Sequence, residues 1–132
     1  MKEGEGAKPV AVTGGDSIAI DGAGRYLYVK RTGSGRRELV RTPLAGGPAE
    51  ALAIPPEYTI SDDLSPAAAG ASGRILFEVD SADSWFEHVA VIDTSRKTFA
   101  VISTGFSGDV WMPGWDGDGR IAAIGARIDS TL

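Results

Sequence analysis

The 132-residue sequence has no cysteine, two methionines and a single histidine, His88. Without cysteine there is no disulfide framework, no thiolate nucleophile and no cysteine-based metal site. One histidine provides no histidine cluster for a metal, and a catalytic triad would have to be built on His88 alone. His88 opens a predicted strand beside Trp85, Phe86 and Glu87 and reads as an ordinary strand-edge residue. An excess of positive charge is also lacking. Thirteen Lys and Arg against eighteen Asp and Glu leave a net charge of −5, whereas a general nucleic-acid binder needs a basic footprint. No nucleic-acid partner is therefore expected. No run approaches the ~18–20 apolar residues of a membrane span, so no direct membrane insertion is expected either. The polar start, Met1-Lys2-Glu3-Gly4-Glu5-Gly6, has no signal-peptide core behind it. Residues 1–7 read as a disordered or tag-like segment. The compartment stays open: the chain is cytosolic, or its export or membrane segment lies outside it.

What the sequence does have is punctuation. Eighteen glycines and seven prolines fall between apolar runs of four to eight residues, the pattern of an all-β chain. Helical periodicity is absent. Even Pro66-Ala67-Ala68-Ala69-Gly70-Ala71, despite its alanines, has room for under two turns, and it reads as strand and turn. In Arg25-Tyr26-Leu27-Tyr28-Val29-Lys30 the alternation places Tyr26, Tyr28 and Lys30 on one face, with Leu27 and Val29 on the other. Lys30, Arg31, Arg36 and Arg37 flank Thr32-Gly33-Ser34-Gly35 and read as a solvated hairpin tip.

The strongest internal signal is a recurrence. Trp115-Asp116-Gly117-Asp118-Gly119-Arg120 precedes an apolar run, and so do Ile20-Asp21-Gly22-Ala23-Gly24-Arg25 and Ala69-Gly70-Ala71-Ser72-Gly73-Arg74. The Gly-Arg pairs stand at 24/25, 73/74 and 119/120, a spacing that marks a repeat architecture. Each glycine is expected at a hairpin turn that needs φ > 0. An aspartate just before it, as Asp118 is, can bond the turn's own amides, and Asp21 belongs to the first of these turns. The apolar residue ahead of each turn, Ile20, Ala69 or Trp115, is expected between neighbouring sheets.

Units of about 45 residues with four strands and an aromatic-x-x-Asp-Gly-Arg turn between the first two resemble the TolB-type, WD40-like (PD40) β-propeller repeat. Trp115, Asp118, Gly119 and Arg120 match that turn, with Asp116 and Gly117 where Ser and Pro are usual. Gly24 and Arg25 match in the first copy, with Ala23 in place of the Asp, and Gly73 and Arg74 match in the second. The resemblance implies a partial propeller. It would have a leading strand at 8–13 that includes Pro9–Val12, a four-stranded blade at 16–54, a second at 55–104 and the first half of a third at 108–132. In the second blade, residues 65–69 are expected to form the first strand. Propellers close with 4–8 blades, so at ~40–45 residues per blade the smallest ring needs roughly 160 residues. The ring is not closed by this chain alone. Three explanations follow: a piece of a longer protein, assembly with copies of itself, or an open arc. Unpaired blade edges invite self-association.

Chemistry is hard to find. Gly105-Phe106-Ser107-Gly108-Asp109 approaches a hydrolase elbow but has Asp where the last Gly is required. Asp116-Gly117-Asp118-Gly119-Arg120 fails as an EF-hand loop, with Arg120 and Arg127 where oxygen ligands belong. No Gly-x-Gly-x-x-Gly precedes a helix. No enzyme activity, cofactor or metal is expected. By the resemblance, the loops at one end of the ring would form the binding face. They hold Tyr58, Asp62, Asp63, Asp80, Asp83, Trp85, Phe86, Asp109 and Trp111. Aromatics among carboxylates suit a protein, peptide or cationic ligand. The competing reading puts the aromatics in the core and leaves the acids as loop solvation. Three functions remain in view: a non-catalytic interaction or sensor module of a larger bacterial protein such as a regulator or kinase; the propeller of an S9-type serine peptidase; and a self-assembling structural unit.

Overall fold

The computed structural model describes residues 15–33, 35–61, 63–70, 72–103, 108–116 and 119–126. They form ten strands: β1 (Ser17–Ile20), β2 (Tyr26–Gly33), β3 (Arg36–Pro43), β4 (Glu50–Ala51), β5 (Tyr58–Ile60), β6 (Arg74–Ser81), β7 (His88–Asp93), β8 (Thr98–Ile102), β9 (Asp109–Trp115) and β10 (Ile121–Ala126). All pairing is antiparallel, in sheets ordered β1-β2-β3-β4, β5-β6-β7-β8 and β10-β9. The chain is all-β, with no helix and no closed barrel among the described residues, an arrangement that fits an open, partial propeller. The strand expected at 8–13 lies outside the described residues.

Consecutive sheets meet face to face. Between sheets one and two, Ala19, Tyr28 and Leu39 pack against Ile60, Ile75, Phe77, Val79, Ala90 and Ile92. Burying an aliphatic or aromatic side chain of this size is worth about 1.5–3 kcal/mol, so this layer is the main cohesive element. The alternation in β2 holds: Tyr26 and Tyr28 face sheet two, and Lys30 reaches Asp63 on the same side. A second, smaller cluster of Leu76, Val89 and Val110 joins sheet two to sheet three.

Polar ties reinforce both junctions. Ser17 Oγ accepts the Leu64 amide at 3.0 Å, and Arg37 donates to the carbonyls of Ile60 and Ser61. At the other junction the Trp115 amide donates to Ala67 O at 2.9 Å, and the buried Glu78 carboxylate accepts the Met112 amide. Met112 has φ 51°, left-handed for a non-glycine residue, at a bulge where the β9–β10 register shifts between Ala122 and Ile124. Bulged residues lose ladder partners, and the Glu78 carboxylate takes up the Met112 amide that the bulge turns out of the ladder.

Two expectations need correction. The first strand of sheet two is not residues 65–69. Tyr58–Ile60 pairs with Val79–Ser81, while Ala69 makes only an isolated bridge to Ile75. The cause is local: Pro66 has no amide to give a ladder, and a turn closes there through the Ala68 amide on Ser65 O. The second correction concerns the turns. Gly24, Gly73 and Gly119 do have positive φ (70°, 80° and 78°), as the recurrence requires. The bonding aspartate sits three residues before the glycine, a place that Asp21 holds as expected but Asp118 does not. Asp21 Oδ1 accepts the Arg25 amide at 2.7 Å, and Asp116 Oδ1 accepts the Arg120 amide at 2.8 Å. Asp116 therefore fills the place assigned to Asp118, which lies outside the described residues. In the second copy that place is Gly70, and Thr94 holds the turn instead, its hydroxyl donating to Gly73 O at 2.7 Å.

The residues ahead of the turns divide. Ala69 is buried in the larger cluster. Trp115 lies between sheets two and three, with the Arg74 guanidinium 4.6 Å from its ring centroid and its indole N–H on Arg74 O at 3.3 Å. Gly70 makes room for it: a Cβ there would stand 3.1 Å from Trp115 Nε1. Ile20, in contrast, is half-exposed beside Ile18, on the face of β1 opposite Ala19.

The three turn glycines should therefore respond unequally to alanine. At Gly24 and Gly119 a Cβ meets nothing within 4 Å, so each substitution should cost only the left-handed penalty of about 1–2 kcal/mol. At Gly73 the Cβ would lie 2.8 Å from Thr94 Oγ1, displacing the hydroxyl that holds the turn. Gly73→Ala should cost about 1–2 kcal/mol more. Denaturant unfolding of the three variants checks the ranking, and equal losses at all three positions would refute it.

Candidate binding face

The end of the sheets that includes the β6–β7 loop, residues 82–87, contains most of the candidate residues. Ser84 organises that loop. Its amide donates to Ser81 O at 3.4 Å, and its hydroxyl accepts the Phe86 amide at 3.1 Å, lies 3.3 Å from Phe86 O and meets His88 Nε2 at 2.9 Å. A second clamp comes from sheet three. Asp109 Oδ1 accepts the Glu87 amide at 2.9 Å, and the Val110 amide donates to Glu87 O at 3.4 Å. The loop is thus pinned at Ser84 and Glu87, and the two residues between are pushed outward. Trp85 is 99% exposed and Phe86 46%. Large aromatics are mostly buried on average, so a fully exposed tryptophan on a braced loop needs an explanation.

The other candidates sort by what they touch. Tyr58 belongs to the core layer, its ring 5.2 Å from that of Phe99. Asp63 pairs at 2.9 Å with Lys30 Nζ, whose side chain is only 8% exposed, so this carboxylate compensates a buried cation. Asp109 is the clamp just described. Trp111 is half-buried on β9 opposite Ile124. Asp80, paired with Thr59, and Asp83, in the turn, are exposed beside Trp85 and Phe86. Asp62 lies outside the described residues. Among the described candidates, Asp80, Asp83, Trp85 and Phe86 share one acidic, aromatic hairpin.

The basic cluster read as a solvated tip is also more structural than expected. Lys30 is buried against Asp63, Arg31 pairs with Glu38 at 2.7 Å, and Arg37 holds β5 through two carbonyls. A lysine on the core face of β2 was the available signal, but its partner is 33 residues away. Ser84, which braces the loop, carries no sequence signal, and Asp109 acts as a brace where the sequence suggested an acid of the binding face.

Ser84 and His88 stand at the distance of a nucleophile and its base. The Ser84 hydroxyl is nevertheless engaged by the Phe86 backbone, and among the described residues no carboxylate hydrogen-bonds the other ring nitrogen. The contact serves loop geometry. Among the described residues, no three His, Asp or Glu side chains gather as metal ligands, and no helix is long and apolar enough to cross a membrane. No family model and no curated protein matches this chain.

Two variants separate the brace from the surface it supports. Trp85→Ala removes an exposed side chain and should leave stability within about 0.5 kcal/mol. Asp109→Ala removes a charge-assisted bond and should cost about 1.5–3 kcal/mol, with faster amide exchange at Glu87 than in the adjoining β7. A stability loss in Trp85→Ala comparable to that in Asp109→Ala would show that Trp85 supports the fold.

Proposed function

We propose that this chain is a non-catalytic binding module made of TolB-type, WD40-like blades, whose Trp85 hairpin engages a basic peptide segment of a protein partner. The observation behind this reading is the 99% exposure of Trp85 on a loop braced from both sides. A rigid exposed indole offers contact area with little ordering cost, and tryptophan is the aromatic best suited to a Lys or Arg side chain. The exposed Asp80 and Asp83 carboxylates and the net charge of −5 favour the same cationic partner. The blade resemblance supports a role as the sensor or interaction part of a larger bacterial protein, such as a regulator or kinase. Selection from a random peptide library should enrich Lys- and Arg-rich sequences on the wild-type protein and lose them on Trp85→Ala. Enrichment that is identical on both proteins would sink the reading.

A second reading, self-association, rests on a different observation. Ile18 and Ile20 are half-exposed on the first sheet, and Met112, Ile121 and Ile124 are exposed on the third. Two unlike apolar faces at opposite ends favour head-to-tail contact between copies, which closes into a ring or extends as a filament. Light scattering should find a mass that rises with concentration and falls toward the monomer in Ile18→Lys/Ile20→Lys. A clean monomer at micromolar concentration counts against it.

A further inference from the structure

β6 runs between two ends of the molecule, with the Trp85 hairpin after its last residue and Gly73 before its first. At the Gly73 end, sheets one and two part around a polar crevice of about 360 Å³, a volume within the range of small-molecule sites. Its walls are two facing turns: Asp21, Arg25, Tyr26 and Arg41 from sheet one, and Ser72, Gly73, Thr94 and Ser95 from sheet two.

The groups in this crevice are unevenly committed. The Asp21 carboxylate accepts the Arg25 amide and, at 3.4 Å, the Tyr26 amide, so its charge is turned toward its own backbone. Arg41 lies with its guanidinium 4.2 Å from the Tyr26 ring centroid, and one of its nitrogens is tied to Glu50 at 2.9 Å. Burial is the largest single effect and works against its charge, but the bond and charge of Glu50 together with Tyr28 and Tyr26 outweigh it, so its pKa is raised and it stays a fixed cation. Its other N–H groups are not used by Glu50. Arg25 is exposed. Thr94 gives both its hydroxyl and its amide to Gly73 O, which leaves its oxygen free to accept.

At the back of this arrangement is Tyr28, fully buried. Its hydroxyl has no hydrogen-bond partner of proper geometry, although Thr94 and Arg41 are the polar groups that act on it. Burial raises its pKa above 10.0, against the smaller lowering effects of Thr94 and Arg41, so the group is a neutral O–H donor at neutral pH. Leaving a buried hydroxyl unpaired costs about 1–3 kcal/mol, and phenylalanine would fill the same core volume without that cost. Packing therefore accounts for the ring but not for the hydroxyl. A donor kept behind the lining of a crevice with two arginines and two serine hydroxyls suits an incoming group rich in acceptors and negative charge.

We propose that this crevice binds the phosphoryl group of a small phosphate monoester, held by Arg25, Arg41 and the hydroxyls of Ser72, Ser95 and Tyr28. A guanidinium pairs with phosphate through parallel charge-assisted bonds. The crevice has space for the organic part of the ester beside its phosphate. Gly73 belongs to the site as well, because a side chain there would collide with Thr94.

The test titrates the isotopically labelled protein with glycerol 3-phosphate, inorganic phosphate and glycerol, following backbone amide shifts. Glycerol 3-phosphate should produce saturable shifts at Arg25, Gly73 and Ser95, with none at Trp85. Inorganic phosphate should bind the same amides more weakly, and glycerol should not bind. Arg25→Gln, which alters an exposed side chain, should weaken glycerol 3-phosphate binding about tenfold or more. Tyr28→Phe should leave the free protein at least as stable and still weaken binding several-fold. Absence of saturable shifts with glycerol 3-phosphate, or affinity unchanged in Arg25→Gln, would overturn the proposal. So would equal binding of glycerol, which would make the crevice a polyol site.

Discussion

The fold depends on a single buried layer, the one in which Tyr28 and Leu39 of sheet one meet Ile75, Phe77 and Ile92 of sheet two. Among the described residues no backbone ladder runs from one sheet to the next, so cohesion between these sheets falls to side-chain burial and to a few polar ties. Short antiparallel sheets of this kind are marginal alone. Each becomes stable by covering a neighbour's apolar face. The layer also sets the position of both surfaces discussed above. Its closed middle separates the Trp85 hairpin from the crevice at Gly73, so each end can be altered without passing through the other.

The polar ties are placed where apolar packing gives out. Lys30 carries a charge into the rim of the main layer and meets Asp63 there. Removing one partner from such a pair strands the other, which costs far more than the pair contributes when intact. Glu78 and Met112 form such a tie at the smaller junction, where the described apolar cluster has three buried members. These buried polar groups tie each sheet to its neighbour at defined points.

Local rules were legible in the sequence, and long-range ones were not. The Gly-Arg recurrence located three turns because a left-handed residue with no Cβ has few alternatives. The alternation of Tyr26, Tyr28 and Lys30 gave the inward face of β2 for a similarly local reason. In Asp116-Gly117-Asp118-Gly119 two aspartates each precede a glycine, and only the closure of the loop selects Asp116 as the acceptor. The placement of β5 failed because residues 65–69 look as extended as 58–60 until a partner is supplied. At the candidate face, the types of residue were readable but their exposure was not. Tyr58 and Trp85 are both aromatics near turns, yet one packs against Phe99 and the other touches solvent. What separates them is whether the opposing surface is a strand or open water.

The three turns share one backbone shape, but their closing groups differ: Asp21, then Thr94, then Asp116. In the first and third the closing group lies within the turn. In the second it comes from the turn between β7 and β8, and it adds to a bond from the Gly70 amide to Arg74 O within the turn itself. The second turn is therefore tied to a distant hairpin as well as to its own backbone. A change at Thr94 reaches a turn 21 residues away in the chain, whereas a change at Asp21 or Asp116 stays within its own turn.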